Sequence, residues 1–162
     1  MQIILFGLSG AGKNFVGEIL AKYFPFYFWD ADKDLPQNMQ DCITQKKFFT
    51  QEMRDEFTQS IIKKMTNLTE QYDNLAVAQA FYKEKNRLQL QMSWPDAKWI
   101  YVKSHPKNIL ARLQTRGLGV SADYAEKISI NFEEPQLPHL TLNNDSDESS
   151  IIQQLEILLS PK

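Results

Sequence analysis

Short runs of apolar residues alternate along the chain with longer stretches in which apolar positions recur every three or four residues. Gln2 to Phe6 is an apolar run that stops at glycine and predicts a buried strand. From Lys13 to Phe24, the residues Val16, Ile19, Leu20 and Tyr23 fall at helical spacing, and Pro25 ends the pattern. Phe26 to Trp29 predicts an aromatic strand ending at Asp30. Phe49 to Met65 predicts a helix with Met53, Phe57, Ile61 and Met65 at steps of four. Asn74 to Ala78 and Lys98 to Val102 are further strands, each followed by a helical stretch. The second of those helices opens at Ser104-His105-Pro106 and is expected to bury Ile109, Leu110 and Leu113. Leu140 to Leu142 is a last strand, and Asp145 with Glu148 forms a capping-box pattern ahead of a helix from Ile151 to Leu159. Five strands alternating with helices predict an α/β fold of three layers, α/β/α, around a mainly parallel sheet. In such sheets ligands collect at the carboxyl ends of the strands.

Composition narrows the function. A chain of 162 residues is long enough to bury a core without staples and predicts a single domain over 1–162; it has no repeat, low-complexity tract or linker. Twenty acidic against 18 basic residues give a net charge of −2, which argues against a nucleic-acid partner, because phosphate-backbone affinity needs a surplus of clustered cations. One cysteine, Cys42, and two histidines exclude a disulfide framework and a Cys-rich zinc site; Cys42 is expected to act as a small buried hydrophobe. The apolar run Ile3 to Phe6 is too short for a signal segment or a membrane span. The expectation is a soluble cytoplasmic protein with no membrane partner, monomeric or homodimeric, that is either a small enzyme or a binding module. Trp94 and Trp99 are expected to be packing residues.

Four of the six glycines, Gly7, Gly10, Gly12 and Gly17, fall within eleven residues. The stretch Gly7-Leu8-Ser9-Gly10-Ala11-Gly12-Lys13-Asn14 reads G-x-x-x-x-G-K-N between a predicted strand and a predicted helix. Such a loop turns successive backbone N–H groups inward around phosphate oxygens. The following helix adds its positive N-terminal end, and Lys13 supplies a mobile charge for the β- and γ-phosphates. The candidate ATP contacts are therefore Gly7, Leu8, Ser9, Gly10, Ala11, Gly12, Lys13, Asn14 and, in the first helical turn, Phe15. Asn14 stands where a Ser or Thr hydroxyl ordinarily meets Mg²⁺. Its amide oxygen can ligate a hard cation, but the longer side chain shifts the geometry, so the expectation is nucleotide binding with weakened metal positioning.

Together with that loop, the order of further motifs resembles the small P-loop kinases of the gluconokinase and shikimate kinase type. Phe28-Trp29-Asp30-Ala31-Asp32 matches a D-x-D at the end of the second strand, and Leu35-Pro36-Gln37-Asn38-Met39 is similar to H-P-x-x-N-I with Leu35 for the histidine. Thr50-Gln51-Glu52-Met53-Arg54 resembles T-D-x-D-R, and Leu75-Ala76-Val77-Ala78-Gln79-Ala80-Phe81 resembles the third strand and its exit. Arg112-Leu113, Arg116-Gly117 and Phe132-Glu133-Glu134-Pro135 resemble a lid region, placed at about 116–131. The positions that would contact a polyol in gluconokinases are altered at Leu35, Gln51, Met53, Leu118 and Ile128.

The resemblance implies a P-loop nucleoside-triphosphate-hydrolase-like kinase using ATP and Mg²⁺. Asp30, with Asn14, would serve the metal, and Asp32 would accept the acceptor's proton. Arg116 would close over the transferred phosphoryl group, Arg112 would meet adenine or phosphate, and Arg54 would hold an anionic acceptor group. The residues themselves leave alternatives. Asp30, Asp32 and Asp34 also suit a turn that caps the next element. Arg54 also suits a helix pair with an acid, and Arg112 and Arg116 a solvated basic face. Lys83, Lys85 and Arg87 read as such a solvated face. The leading expectation is a kinase of a gluconate-like or shikimate-like small molecule. Its rivals are a degenerate kinase fold that binds nucleotide without turnover, and a nucleoside or nucleotide kinase.

Overall fold

A computed structural model of the protein describes residues 1–115 and 120–160. Its strands are β1 (Gln2–Phe6), β2 (Tyr27–Asp30), β3 (Leu75–Ala78), β4 (Lys98–Lys103) and β5 (Leu140–Asn143). Its helices are α1 (Lys13–Tyr23), α2 (Gln37–Thr44), α3 (Gln51–Thr69), α4 (Glu84–Ser93), α5 (Pro106–Thr115), α6 (Ala122–Ser129) and α7 (Glu148–Leu159). The strands form one sheet in the order β2-β3-β1-β4-β5, with every neighbouring pair parallel. The predicted α/β architecture is the observed one.

Side chains leave a strand on alternate faces, so each strand feeds two cores. Ile4, Phe6, Trp29, Leu75, Val77 and Trp99 pack on one face against Met39, Phe57, Ile61 and Met65 of α2 and α3 and Leu90 of α4. Ile3, Leu5, Ala76, Ile100, Val102 and Leu142 pack on the other against Val16, Ile19 and Leu20 of α1 and Ile151 and Leu155 of α7. Burying each large aliphatic side chain contributes about 1.5–3 kcal/mol. This explains why β1 and β4 read as continuous apolar runs: both of their faces are covered. Trp99 is buried in the first core and Trp94 packs against it, while Cys42 is buried beside Met53.

Several local expectations are corrected. Leu110 is exposed, because α5 rests on the loop at Gly10 through Ile109 and Leu113 and turns Leu110 outward. Asp147, not Asp145, caps α7, its side chain accepting from the Ser150 N–H, while Asp145 is drawn across to Ser104 and Asn108. The strand carrying the D-x-D stops at Asp30, and Ala31–Asp34 form a single 3-10 turn, so the capping turn that these aspartates also suited is present. The Asp30 Oδ1 accepts from the Asp32 N–H and caps that turn.

Arg87 is the largest correction. It is fully buried rather than solvated. Its guanidinium donates to the carbonyls of Phe81, Tyr82 and Glu133 and pairs with Glu84 at 2.7 Å, between the rings of Phe6 and Phe132. Glu84 in turn accepts from the N–H groups of Gln136 and Leu137, and Glu133 accepts from the Glu84 N–H. This network ties the start of α4 to the 132–137 segment behind the site. Of the other two cations, Lys83 pairs with Glu133 and Lys85 with Asp55.

Candidate active site

The loop after β1 is shaped by glycine. Gly12 has φ +93°, and a Cβ there would lie 1.9 Å from the amide nitrogen of Asn144, so both the backbone conformation and the close approach require glycine. Helix α1 begins at Lys13, and its first intrahelical bond runs from the Val16 N–H to the Gly12 carbonyl. The N–H groups of Asn14 and Phe15 therefore precede the ladder, at the positive end of the helix dipole. The Phe15 side chain is exposed, so only its backbone is suited to a phosphate contact. The Lys13 ammonium is buried and donates to the Gly7 and Leu8 carbonyls at 3.0 Å each, which keeps the charge against the loop.

Behind the loop stands a brace that sequence reasoning missed in part. Arg112 Nη1 donates to the carbonyls of Gly10 (3.2 Å) and Ala11 (3.3 Å) and to Ser104 Oγ (3.0 Å), and its Nη2 to the Asn144 carbonyl (2.7 Å). The buried Asn144 amide donates to the Ala11 carbonyl at 2.9 Å. Asp145 accepts from Ser104, the His105 N–H and Asn108, and these bonds hold its carboxyl down to about 2. Arg112 thus braces the loop from the sheet side, and it is not a solvated surface arginine. The signal for Asn144 was a polar run at the exit of the last strand.

In front of the loop lies a cleft of about 400 Å³ whose lining includes Ser9, Asn14, Asp30, Asp32, Arg54 and Gln79. Asn14 Nδ2 donates to Asp30 Oδ2 at 2.7 Å. Turning the amide over would present its oxygen beside the carboxylate, a pair of hard oxygens of the kind that suits Mg²⁺. Asp32 accepts from Gln79 Nε2 at 2.9 Å, and Gln79 is anchored by its own N–H on the Leu5 carbonyl. The Gly7 N–H donates to the Ala80 carbonyl, which holds the loop to the exit of β3. Phe81, in this exit, has φ +48°, a conformation rare for a residue other than glycine.

Arg54 reaches this cleft from the start of α3 and, among the described residues, forms no ion pair with an acid on its own helix. Its guanidinium lies 5.4 Å from the Phe49 ring and 5.6 Å from the Tyr82 ring, and burial lowers its affinity for the proton. Tyr82 was not singled out from the sequence. Its buried hydroxyl closes no hydrogen bond of ordinary geometry among the described residues, with Ser9 close by, and burial pushes its phenol up. Loop, Asp30, Asp32 and Arg54 thus share one cleft, Arg112 stands behind it, and Arg116 lies outside the described residues.

No curated protein matches the chain. Among solved structures, it is similar to a sugar kinase from a Janibacter species, with TM-score 0.83 and 16% identity over 98% of this chain and 93% of that one. It is also similar to a gluconokinase from Sinorhizobium meliloti (TM-score 0.77, 19% identity, 94% and 87% covered). A third is a shikimate kinase from Bacteroides thetaiotaomicron (TM-score 0.63, 19% identity, 98% of both chains). At these identities the likeness establishes the P-loop kinase fold. Residues 3–130 match the family described as AAA domain, a stretch that holds the loop, both carboxylates and both described arginines of the site. The chain belongs to the AAA domain family.

Proposed function

We propose that the protein is an ATP-dependent kinase that phosphorylates a hydroxyl of a small anionic molecule bound in the cleft. The observation that carries this is continuity: one cavity is walled at one end by Ser9 and Asn14 of the phosphate loop and elsewhere by Asp32 and Arg54. Phosphoryl transfer asks a protein mainly for positioning and charge stabilisation, and both kinds of group are present. The acceptor hydroxyl gives its proton to Asp32, held in place by Gln79, as its oxygen bonds to the γ-phosphorus. The bond from that phosphorus to the bridging oxygen breaks, and ADP leaves with the electron pair. Lys13 and the N–H groups of the loop stabilise the charge that gathers on the leaving oxygens. Asn14 and Asp30 would hold Mg²⁺, which supplies further positive charge at the β- and γ-phosphates. The planar fork of Arg54 suits an acceptor carboxylate.

ADP release against a panel of hydroxy acids tests the reading, with Lys13→Met as the inactive control. A second reading has its own observation in the bond from Asn14 to Asp30, which satisfies the metal pair internally. A site that binds nucleotide without turnover would give a thermal shift with ATP and no ADP with any acceptor.

A further inference from the structure

Most polar groups of the cleft are already spent on one another. Asn14 is bonded to Asp30, whose other oxygen takes the Asp32 N–H. Gln79 is shared between Asp32 and the Ala80 N–H. The buried Asn86 amide is engaged by Asp55, Gln51 and Gln89, and the Thr58 hydroxyl donates to the Arg54 carbonyl. Three groups are left without a hydrogen bond of ordinary geometry among the described residues: the Arg54 guanidinium, the Tyr82 hydroxyl and, beside it, the Ser9 hydroxyl at the loop end of the cleft. The Tyr124 hydroxyl is spent on the Lys47 carbonyl, and the rest of the described wall is apolar, with Leu35, Met39, Ile43, Phe57, Ile61 and Ile128 facing the same space.

We infer that the acceptor is poor in hydroxyl groups: an aryl or alicyclic body that carries one carboxylate and the single hydroxyl to be phosphorylated. This deepens the kinase reading and rests on it for the fate of that hydroxyl, though not for the binding preference. A polyhydroxylated sugar acid would bring several hydroxyls against the apolar part of the described wall, which offers no partner, and each unmet one lowers affinity by about tenfold. A ring, by contrast, gains from the aliphatic and aromatic wall. Its carboxylate meets the unspent donors of Arg54, where the flanking rings exclude water and strengthen the contact. The Tyr82 hydroxyl provides one further hydrogen bond. The reacting hydroxyl is directed to Asp32, which among the described residues is the lining carboxylate outside the Asn14–Asp30 pair.

Calorimetric titration of the full chain in saturating ADP tests this. The probes are para- and meta-hydroxymethylbenzoate, trans-hydroxymethylcyclohexane carboxylate, the neutral para-hydroxymethylbenzamide, gluconate and adenosine. At least one ring acid is expected to bind tenfold or more tighter than gluconate, adenosine and the neutral amide. Arg54→Gln should erase the preference for acid over amide, and Arg54→Lys, which keeps the charge but not the fork, should reduce it several-fold. Tighter binding of gluconate or adenosine, no binding of any ring acid, or a preference that survives in folded Arg54 variants overturns the inference. ADP release, measured separately on the same panel, distinguishes the two readings. Turnover with gluconate alone leaves the kinase and removes the hydroxyl-poor acceptor. Ring acids that bind in the expected order without turnover do the reverse.

Discussion

Asn14 is the position at which the loop departs from its usual chemistry, and its neighbour explains the consequence. A Ser hydroxyl is shorter and could not bridge to Asp30 as the amide does at 2.7 Å. Asn14→Ser is therefore expected to free Asp30 and lower the Mg²⁺ concentration needed for half-maximal turnover, with nucleotide affinity little changed. A magnesium titration of both proteins at fixed ATP checks it. Asp145 offers a test by pH. Its folded-state value near 2 lies below the ordinary 3.8, so the ionised group favours the folded chain above pH 3.8, and that advantage is lost as pH falls through about 2. Asp145→Asn should melt at a lower temperature near neutral pH, with the gap to the parent closing across that acid window. Asn144→Ala removes the shorter of the two hydrogen bonds to the Ala11 carbonyl and leaves it only Arg112, which costs about 0.5–1.5 kcal/mol and should weaken ATP binding through a looser loop. Calorimetry with ATP reads that loss.

Helices and strands carry a different kind of information. The start of α1, the i+4 stripe of α3 and the apolar runs of β1 and β4 were legible, because each is written in the spacing of adjacent residues. Helix α2 was not singled out, since Gln37–Thr44 is mostly polar and buries only Met39 and Cys42. The cap of α7 was misplaced by two residues because Asp145 and Asp147 are both good caps, and a contact with the distant Ser104 decides between them. Arg87 shows the same limit at higher cost. Its position on α4 looked like a charged face, yet it is the pin between that helix and the 132–137 segment. Arg87→Ala leaves Glu84 and three carbonyls without their donor and should destabilise the fold by about 3–5 kcal/mol. Urea denaturation measures it, and Arg87→Lys should recover only part, since one ammonium cannot span the same acceptors.

The strand order sets β3 between β1 and β2, so the phosphate loop, Gln79 and the Asp30–Asp32 turn meet at one edge of the cleft. Because that assembly belongs to the folded chain alone, nucleotide binding should stabilise it as a unit. ATP or ADP at a hundred times its Kd is expected to add about 2.7 kcal/mol, and Lys13→Met should lose most of that shift in a thermal melt. The α/β layering, the phosphate loop and the residues of the D-x-D all follow from patterns a few residues long, in which backbone conformation and neighbouring side chains are set locally. The brace behind the loop joins residues 102 and 133 positions apart, and the surroundings of Arg54 are assembled from segments far apart in the chain. Whether a long polar side chain is solvated, buried or left waiting for a ligand is decided by which distant surfaces pack around it, and no local spacing records that.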